Sequence, residues 1–251
     1  MLLEYLSAAR SELVFKGGTC LAKVHADFYR LSEDLDFVIP VPVNSSRVRR
    51  RELAASIAHI IHGIHHRLPF FTVVQPLTGA NNSTQYNAVI GYTPFAEPQN
   101  DTIKLEIALR EPLLLDTVNG SVRTILRDPI SINSLIAPVA INRILRLEAF
   151  AEKFRAALAR RQVAVRDFFD LDYTVQKLGI KPETPDTIGF VRQKLAIPGN
   201  DPVNISAMRL ATLRQQVEPQ LRPVLRAADF SGFDVERAFN IVATMSASLQ
   251  K

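Results

Sequence analysis

The sequence predicts an α/β (α+β) protein: a mixed sheet decorated with helices, followed by a helical half. Three observations predict this. Residues 34–39 and 101–110 repeat apolar side chains at every second position, with the period of a half-buried strand. Leu53, Ile57, Ile60, Ile61, Ile64 and Leu68 form a stripe at helical spacing between them. After about Asp128 the strand signals give way to helical stripes. A boundary near Ser131 then divides a domain of residues 1–130 from one of residues 131–251.

Taken in order, residues 1–10 read as a short helix. Leu13, Val14 and Phe15 read as a brief strand ending at Gly17 and Gly18. Thr19 is the expected N-cap of a helix through His25, because its hydroxyl could accept an otherwise unpaired N–H. Leu35, Phe37 and Ile39 alternate with Asp34, Asp36 and Val38, which sets both acids on one face of a strand. Pro40 and Pro42 end it. The striped helix starts near Ser45 or Ser46. Residues 70–74 and 87–92 read as strands. In 101–110, Ile103, Leu105, Ile107 and Leu109 make one face and Lys104, Glu106 and Ala108 the other. Phe150, Phe154, Ala157 and Leu158 make a helical stripe, as do Phe168, Phe169 and Tyr173. Pro182, Pro185, Pro198 and Pro202 cut the later chain into short helices, and residues 234–249 close it with another.

Bulk properties narrow the function. A 47% hydrophobic content supports a full core, with no apolar run long enough to span a bilayer and no N-terminal signal pattern. One cysteine, Cys20, excludes an internal disulfide framework and fits a reducing, cytoplasmic setting. The +5 formal charge suits a polyanionic partner.

Two short stretches carry the chemistry. Lys16-Gly17-Gly18-Thr19 supplies a glycine turn and a hydroxyl at a helix start, where backbone N–H groups can meet phosphate oxygens. Asp34 and Asp36 supply paired carboxylates on one strand face, a donor set for Mg²⁺ or Mn²⁺. Glu106, beside Lys104, is the candidate third carboxylate. Each piece alone reads more readily as a turn, a solvated strand face or a surface residue; their order, spacing and strand phase together point to nucleotidyl transfer.

The segment Phe15-Lys-Gly-Gly-Thr-Cys-Leu, followed by Arg30-Leu-Ser32-Glu-Asp-Leu-Asp36, resembles the opening signature of the AbiEii/AbiGii toxin family of nucleotidyltransferases, MenT-like proteins of type IV toxin–antitoxin and abortive-infection systems. Glu152-Lys153-Phe154 and Arg166-Asp167-Phe-Phe-Asp170-Leu171 resemble its second signature, and Lys104-Leu-Glu106 its central strand. The resemblance runs from about Leu13 to Tyr173. It implies a DNA-polymerase-β-like nucleotidyltransferase fold with a helical C-terminal half. It also implies an NTP substrate and a cognate antitoxin, and in some members transfer to tRNA. By that resemblance Lys153 contacts the triphosphate, Asp167 supports it, and Lys16, Gly17, Gly18, Thr19, Ser32, Lys104 and Arg166 join the nucleotide site. Read on its own, Lys153 is equally a solvated lysine, and Arg166 with Asp167 equally a local ion pair or helix start. Two differences stand out: a short segment before the glycines, and Glu106 in place of an Asp.

Other features have weaker readings. Arg47, Arg49, Arg50 and Arg51 at a helix start oppose its dipole and read as a solvated run or a partner surface. His59, His62 and His66 read as surface histidines despite a zinc-compatible i, i+4 pair. Arg143, Arg146, Arg155, Arg160 and Arg161 extend a basic surface. Tyr29, Tyr86, Tyr92 and Phe70 read as core, with base stacking as the alternative. The reading is a metal-dependent nucleotidyltransferase toxin acting on an RNA 3′ end, with tRNA as the expected acceptor. Its alternatives are nucleotidylation of a protein side chain, or a non-catalytic nucleotide- or RNA-binding module.

Overall fold

The computed structural model describes residues 1–9, 12–26, 28, 30–32, 34–94, 100–124 and 128–250. They form two compact units. One comprises Met1–Cys20 and Ser32–Ile144; the other comprises Leu21–Leu31 and Leu145–Lys251.

The first unit is built on one mixed sheet. Helix α1 (Leu2–Ala8) precedes β1 (Val14–Lys16), the four-residue helix α2 (Gly17–Cys20) and β2 (Asp34–Val38). Helix α3 (Arg47–His62) follows, capped by the Ser46 hydroxyl, which accepts from Arg49 N at 3.1 Å. Gly63 separates α3 from the short α4 (Ile64–Arg67). The expected stripe faces inward across both: Ile57, Ile61 and Ile64 are buried. Strands β3 (Phe71–Ala80), β4 (Gln85–Tyr92), β5 (Asp101–Ala108), β6 (Val118–Val122) and β7 (Val139–Arg143) complete the sheet in the order β3-β4-β5-β2-β1-β7-β6. β1 pairs antiparallel with β2 and parallel with β7, and β2 pairs parallel with β5.

Two local expectations are corrected. Thr19 is not an N-cap: the helix begins at Gly17, whose φ of 75° turns the chain directly out of β1. Helices do not take over at Asp128, because Val139–Arg143 joins the sheet through β1. Neighbouring strands, rather than a long alternation of its own, recruit so short a segment.

The second unit is helical. A π-helical segment (Leu21–Ala26) belongs to it, with α5 (Arg146–Ala159), α6 (Val165–Leu178), α7 (Pro185–Leu195), α8 (Ala207–Gln216), α9 (Ala227–Ser231) and α10 (Val235–Leu249). Pro185 occupies the first turn of α7, where its missing N–H costs nothing. Asp234 caps α10, accepting from Glu236 N and Arg237 N. The predicted stripes form the core: Phe150 and Phe154 meet edge to face at 5.0 Å, and Phe168 and Phe169 are buried beside them. Inside this core Lys194 is fully buried, held by Glu148 at 2.7 Å and Glu152 at 3.2 Å. A buried cation of that kind requires such partners.

Candidate active site

The face of the sheet that carries the acids follows from register. Paired residues on neighbouring strands share a face, with strands about 4.8 Å apart. β2 and β5 run parallel with Asp36 opposite Glu106 and Asp34 opposite Lys104. On the other side of β2, Lys16 of β1 lies opposite Asp36; beyond β5, Asn87 of β4 lies opposite Glu106. Lys16, Asp36, Glu106 and Asn87 therefore make one row across four strands, with Asp34 and Lys104 in a row beside it. All six are solvent-accessible, whereas Phe15, Phe37, Ile107 and Tyr86, each adjacent in sequence to one of the row, are buried on the opposite face. Alternation is thus what exposes the carboxylates: the apolar partners drive one face inward, and the acids are left on the other.

The turn into α2 is fitted to this face. A Cβ on Gly17 would overlap the Asp36 carboxylate, so Asp36 lies directly against the glycine backbone. The positive φ and the close approach both require glycine here. Thr19 is buried; its Oγ1 sits 2.8 Å from the Asp34 carbonyl oxygen and 2.7 Å from Ser32 Oγ. Thr19 and Ser32 therefore bind the glycine turn to the entry of β2. Lys104 Nζ lies 3.4 Å from Glu106 Oε2, with both side chains accessible. Two carboxylates at facing positions repel one another unless cations intervene. Asp34, Asp36 and Glu106 are hard oxygen donors of the type Mg²⁺ takes, and they share one sheet face. No group of three His, Cys, Asp or Glu among the described residues is already drawn together as a cage. The donor chemistry and register fit a divalent ion.

The second-signature residues lie in the helical unit, in a buried ion network. Lys153 of α5 places Nζ 2.8 Å from Asp167 Oδ1 and 2.8 Å from Asp170 Oδ2. Asp167 and Asp170 are three apart on α6 and so face the same way. Arg160 Nη1 reaches Asp167 Oδ2 at 3.0 Å, and Arg30 grips Asp170 with Nε at 3.0 Å and Nη2 at 3.2 Å. Arg209 donates to the carbonyls of Ala157 and Arg160, closing the end of α5 beside the network. Burial tends to raise the Asp167 carboxyl. The Lys153 ammonium and the Arg160 guanidinium outweigh it and hold that carboxyl below the usual carboxylate range. Burial tends to lower the Lys153 ammonium, but Asp167 and Asp170 outweigh it, against Arg30, and raise it above the ordinary lysine value. Lys153 is therefore held charged.

Several expectations change here. Lys153 is not a solvated lysine. Asp167 does not pair with Arg166; it pairs with Lys153 and Arg160, while Arg166 has no ion pair among the described residues. Sequence reasoning assigned no role to Arg30 or Asp170, although both stand inside the matching motifs; the i, i+3 spacing of Asp167 and Asp170 was the available signal. The proposed basic surface is partly consumed internally. Arg160 binds Asp167, Arg155 binds Asn200, and the Arg143 side chain lies against Gly120. Arg50 likewise is buried rather than part of a solvated run. His59, His62 and His66 are exposed. Tyr86 is core, Phe70 is exposed, and Tyr29 lies outside the described residues.

Sequence comparison now decides the family. Residues 2–239 match the family described as "Nucleotidyl transferase AbiEii toxin, Type IV TA system". The chain belongs to the AbiEii nucleotidyltransferase toxin family. Among solved structures it is similar to MenT4, a nucleotidyltransferase toxin of Mycobacterium tuberculosis. The TM-score is 0.59 at 20% identity, over 99% of this chain and 89% of that one. That likeness establishes a shared fold. JHP933 of Helicobacter pylori aligns over 99% of this chain and 88% of its own, with a TM-score of 0.48 and 14% identity. No curated protein matches the sequence. As an AbiEii protein the chain is a nucleotidyltransferase of a toxin–antitoxin system. The family implies an NTP substrate, usually a divalent metal, and an antitoxin partner. No described helix is long and apolar enough to cross a membrane.

Proposed function

We propose that this AbiEii toxin transfers a nucleoside monophosphate from an NTP to the 3′-hydroxyl of an RNA, with tRNA in the cytoplasm as the acceptor and Mg²⁺ (or Mn²⁺) as the ion. The observation that carries the reading is the β2–β5 register, which sets Asp36 beside Glu106 and Asp34 on the same open sheet face. Asp34, Asp36 and Glu106 would hold the ion. Its role when bound is to neutralise charge on the triphosphate at the reacting phosphorus.

The remaining parts come from the chain itself. Gly17 and Gly18 offer backbone N–H groups to phosphate oxygens, with Lys16 and Lys104 as cations on the same face. Thr19 and Ser32 fix that turn against β2. The RNA 3′-oxygen forms a bond to the α-phosphorus as the bond from that phosphorus to the β-phosphate oxygen breaks, and pyrophosphate leaves. Glu106 helps to take the hydroxyl proton. Family resemblance gives Lys153 and Arg166 a role toward the triphosphate, and Asp167 a supporting one. The raised ammonium of Lys153 is consistent with a permanent cation.

The test is incubation of purified protein with Mg²⁺, each α-³²P-labelled NTP in turn, total tRNA and a cell lysate. Denaturing gels with and without RNase then locate the label. An RNase-sensitive tRNA band is the expected result. Label that survives RNase and is lost to protease would assign a protein acceptor. No label from folded protein would leave nucleotide or RNA binding without turnover.

A further inference from the structure

Three unexplained features of the sheet unit converge on one pocket. The first is electrostatic. Arg47 and Arg51 stand one turn apart at the start of α3, where cations oppose the helix dipole and each other. Arg49 is relieved by Glu52 at 3.5 Å and Arg50 by carbonyl oxygens, but Arg47 and Arg51 have no hydrogen bond or ion pair among the described residues. The second is an orphan. Tyr86 is 7% exposed, and its buried hydroxyl has no hydrogen-bond partner among the described residues, a costly state for a phenol. The third is backbone strain. Asn81, Asn82 and Ser83 have φ of 49°, 56° and 62°, three successive left-handed residues without a glycine. Buried Arg50 pins this turn, donating to the Asn82 carbonyl at 3.2 Å and the Ser45 carbonyl at 2.6 Å.

Arg47, Arg51, Ser83 and Tyr86 line the same cavity of about 280 Å³, walled by Gly79 and Leu77 of β3 and by alanines of α3. Tyr86 lies opposite Ile107, and Ile107 opposite Phe37, so the cavity sits on the sheet face away from Asp36 and Glu106. Two unpaired guanidiniums, a hydroxyl from Ser83 and an orphan phenol donor make a set that matches one group: a tetrahedral phosphoryl anion. We propose that this pocket is a second phosphoryl-binding site, separate from the carboxylate face and independent of the transfer chemistry. Its ligand is either a backbone phosphate of RNA or the phosphate of a small nucleotide. Both meet the same donors.

The experiment compares the full-length wild type with Arg47→Ala/Arg51→Ala and Tyr86→Phe. In one arm, tRNA affinity is measured from 50 to 200 mM salt. In the other, inorganic phosphate is titrated against protein labelled with ¹³C at tyrosine Cζ, the Tyr86 signal being the one lost in Tyr86→Phe. If the ligand is RNA, the double variant loses about tenfold in tRNA affinity and its log–log salt slope falls by about 1. If the ligand is small, tRNA binding is unchanged, phosphate shifts the Tyr86 signal in wild type, and the double variant abolishes that shift. Unchanged tRNA binding together with an unmoved Tyr86 signal overturns the proposal. Removing like charges from a helix start keeps or raises the melting temperature, so lost binding is separable from unfolding. Should the double variant still fail to fold, Arg51→Gln carries the same two measurements.

Discussion

The carboxylate face of the sheet and the ion network of the helical unit use the same residue types in opposite ways. On the sheet, Asp34, Asp36, Glu106, Lys16 and Lys104 lie accessible on neighbouring strands, placed by register, with Lys104 3.4 Å from Glu106. In the helical unit, Arg30, Lys153 and Arg160 interlock with Asp167 and Asp170 at 2.8–3.2 Å, mostly out of water. Accessible charges cost little in desolvation and stay available to a ligand; buried ones must be compensated within the protein. The first arrangement suits a place where substrate charge arrives. The second fixes one lysine in position and in charge state. Mutations in the two regions should therefore separate: activity lost without stability in one, stability lost in the other.

The largest expected effect is on the sheet face. Asp36→Ala is predicted to lower nucleotide transfer by about 10²–10⁴-fold, the scale of several kcal/mol of transition-state charge stabilisation, and to abolish toxicity while leaving the melting temperature near wild type. Transfer rates and thermal melts of the same preparation check it, and full activity would remove Asp36 from the site. In the helical unit, Asp170→Ala strands the buried Arg30 guanidinium. It should cost about 3–5 kcal/mol in urea unfolding, as breaking one side of a buried pair does. A loss below 1 kcal/mol would show that the network is wetter than its burial indicates. Gly17→Ala joins the two behaviours. It forces a Cβ into the Asp36 carboxylate at positive φ, with an expected cost of about 1–3 kcal/mol together with reduced transfer.

Sequence and structure agree where the information is local. The alternation of Asp34, Leu35, Asp36 and Phe37 was enough to place both acids on one face, and the phenylalanine stripes were enough to define the helical core. The pairing of Asp36 with Glu106 needed strand register across seventy residues, and that of Arg30 with Asp170 needed a contact across 140 residues. Neither has a signal in periodicity. Thr19 was misjudged as a cap because a hydroxyl at a helix start usually bonds an N–H. Here the β2 entry competes for it and wins. Val139–Arg143 was missed because a five-residue strand is specified by its neighbours.

Acid sharpens the comparison with a smaller effect. The Asp167 carboxyl is depressed by Lys153 and Arg160 after they overcome its burial, so it adds stability above the ordinary carboxylate value. That stability is lost as pH falls through the depressed one. Melting temperatures from pH 7 downward should therefore fall more steeply for wild type than for Asp167→Asn below about pH 4. Parallel curves would contradict the pairing. The smallest effect is expected at the exposed histidines. His62→Ala should change stability by less than about 0.5 kcal/mol, and zinc should leave the melting temperature of wild type and variant alike.

The central claim is that the β2–β5 carboxylate face performs the transfer. Pyrophosphate release from NTP and tRNA, measured against Mg²⁺ concentration for wild type, Asp36→Asn and Glu106→Gln, tests it most directly. Metal-dependent release in wild type, with both variants folded and release nearly abolished at every Mg²⁺ concentration, is the predicted result. Undiminished release from either folded variant would contradict it.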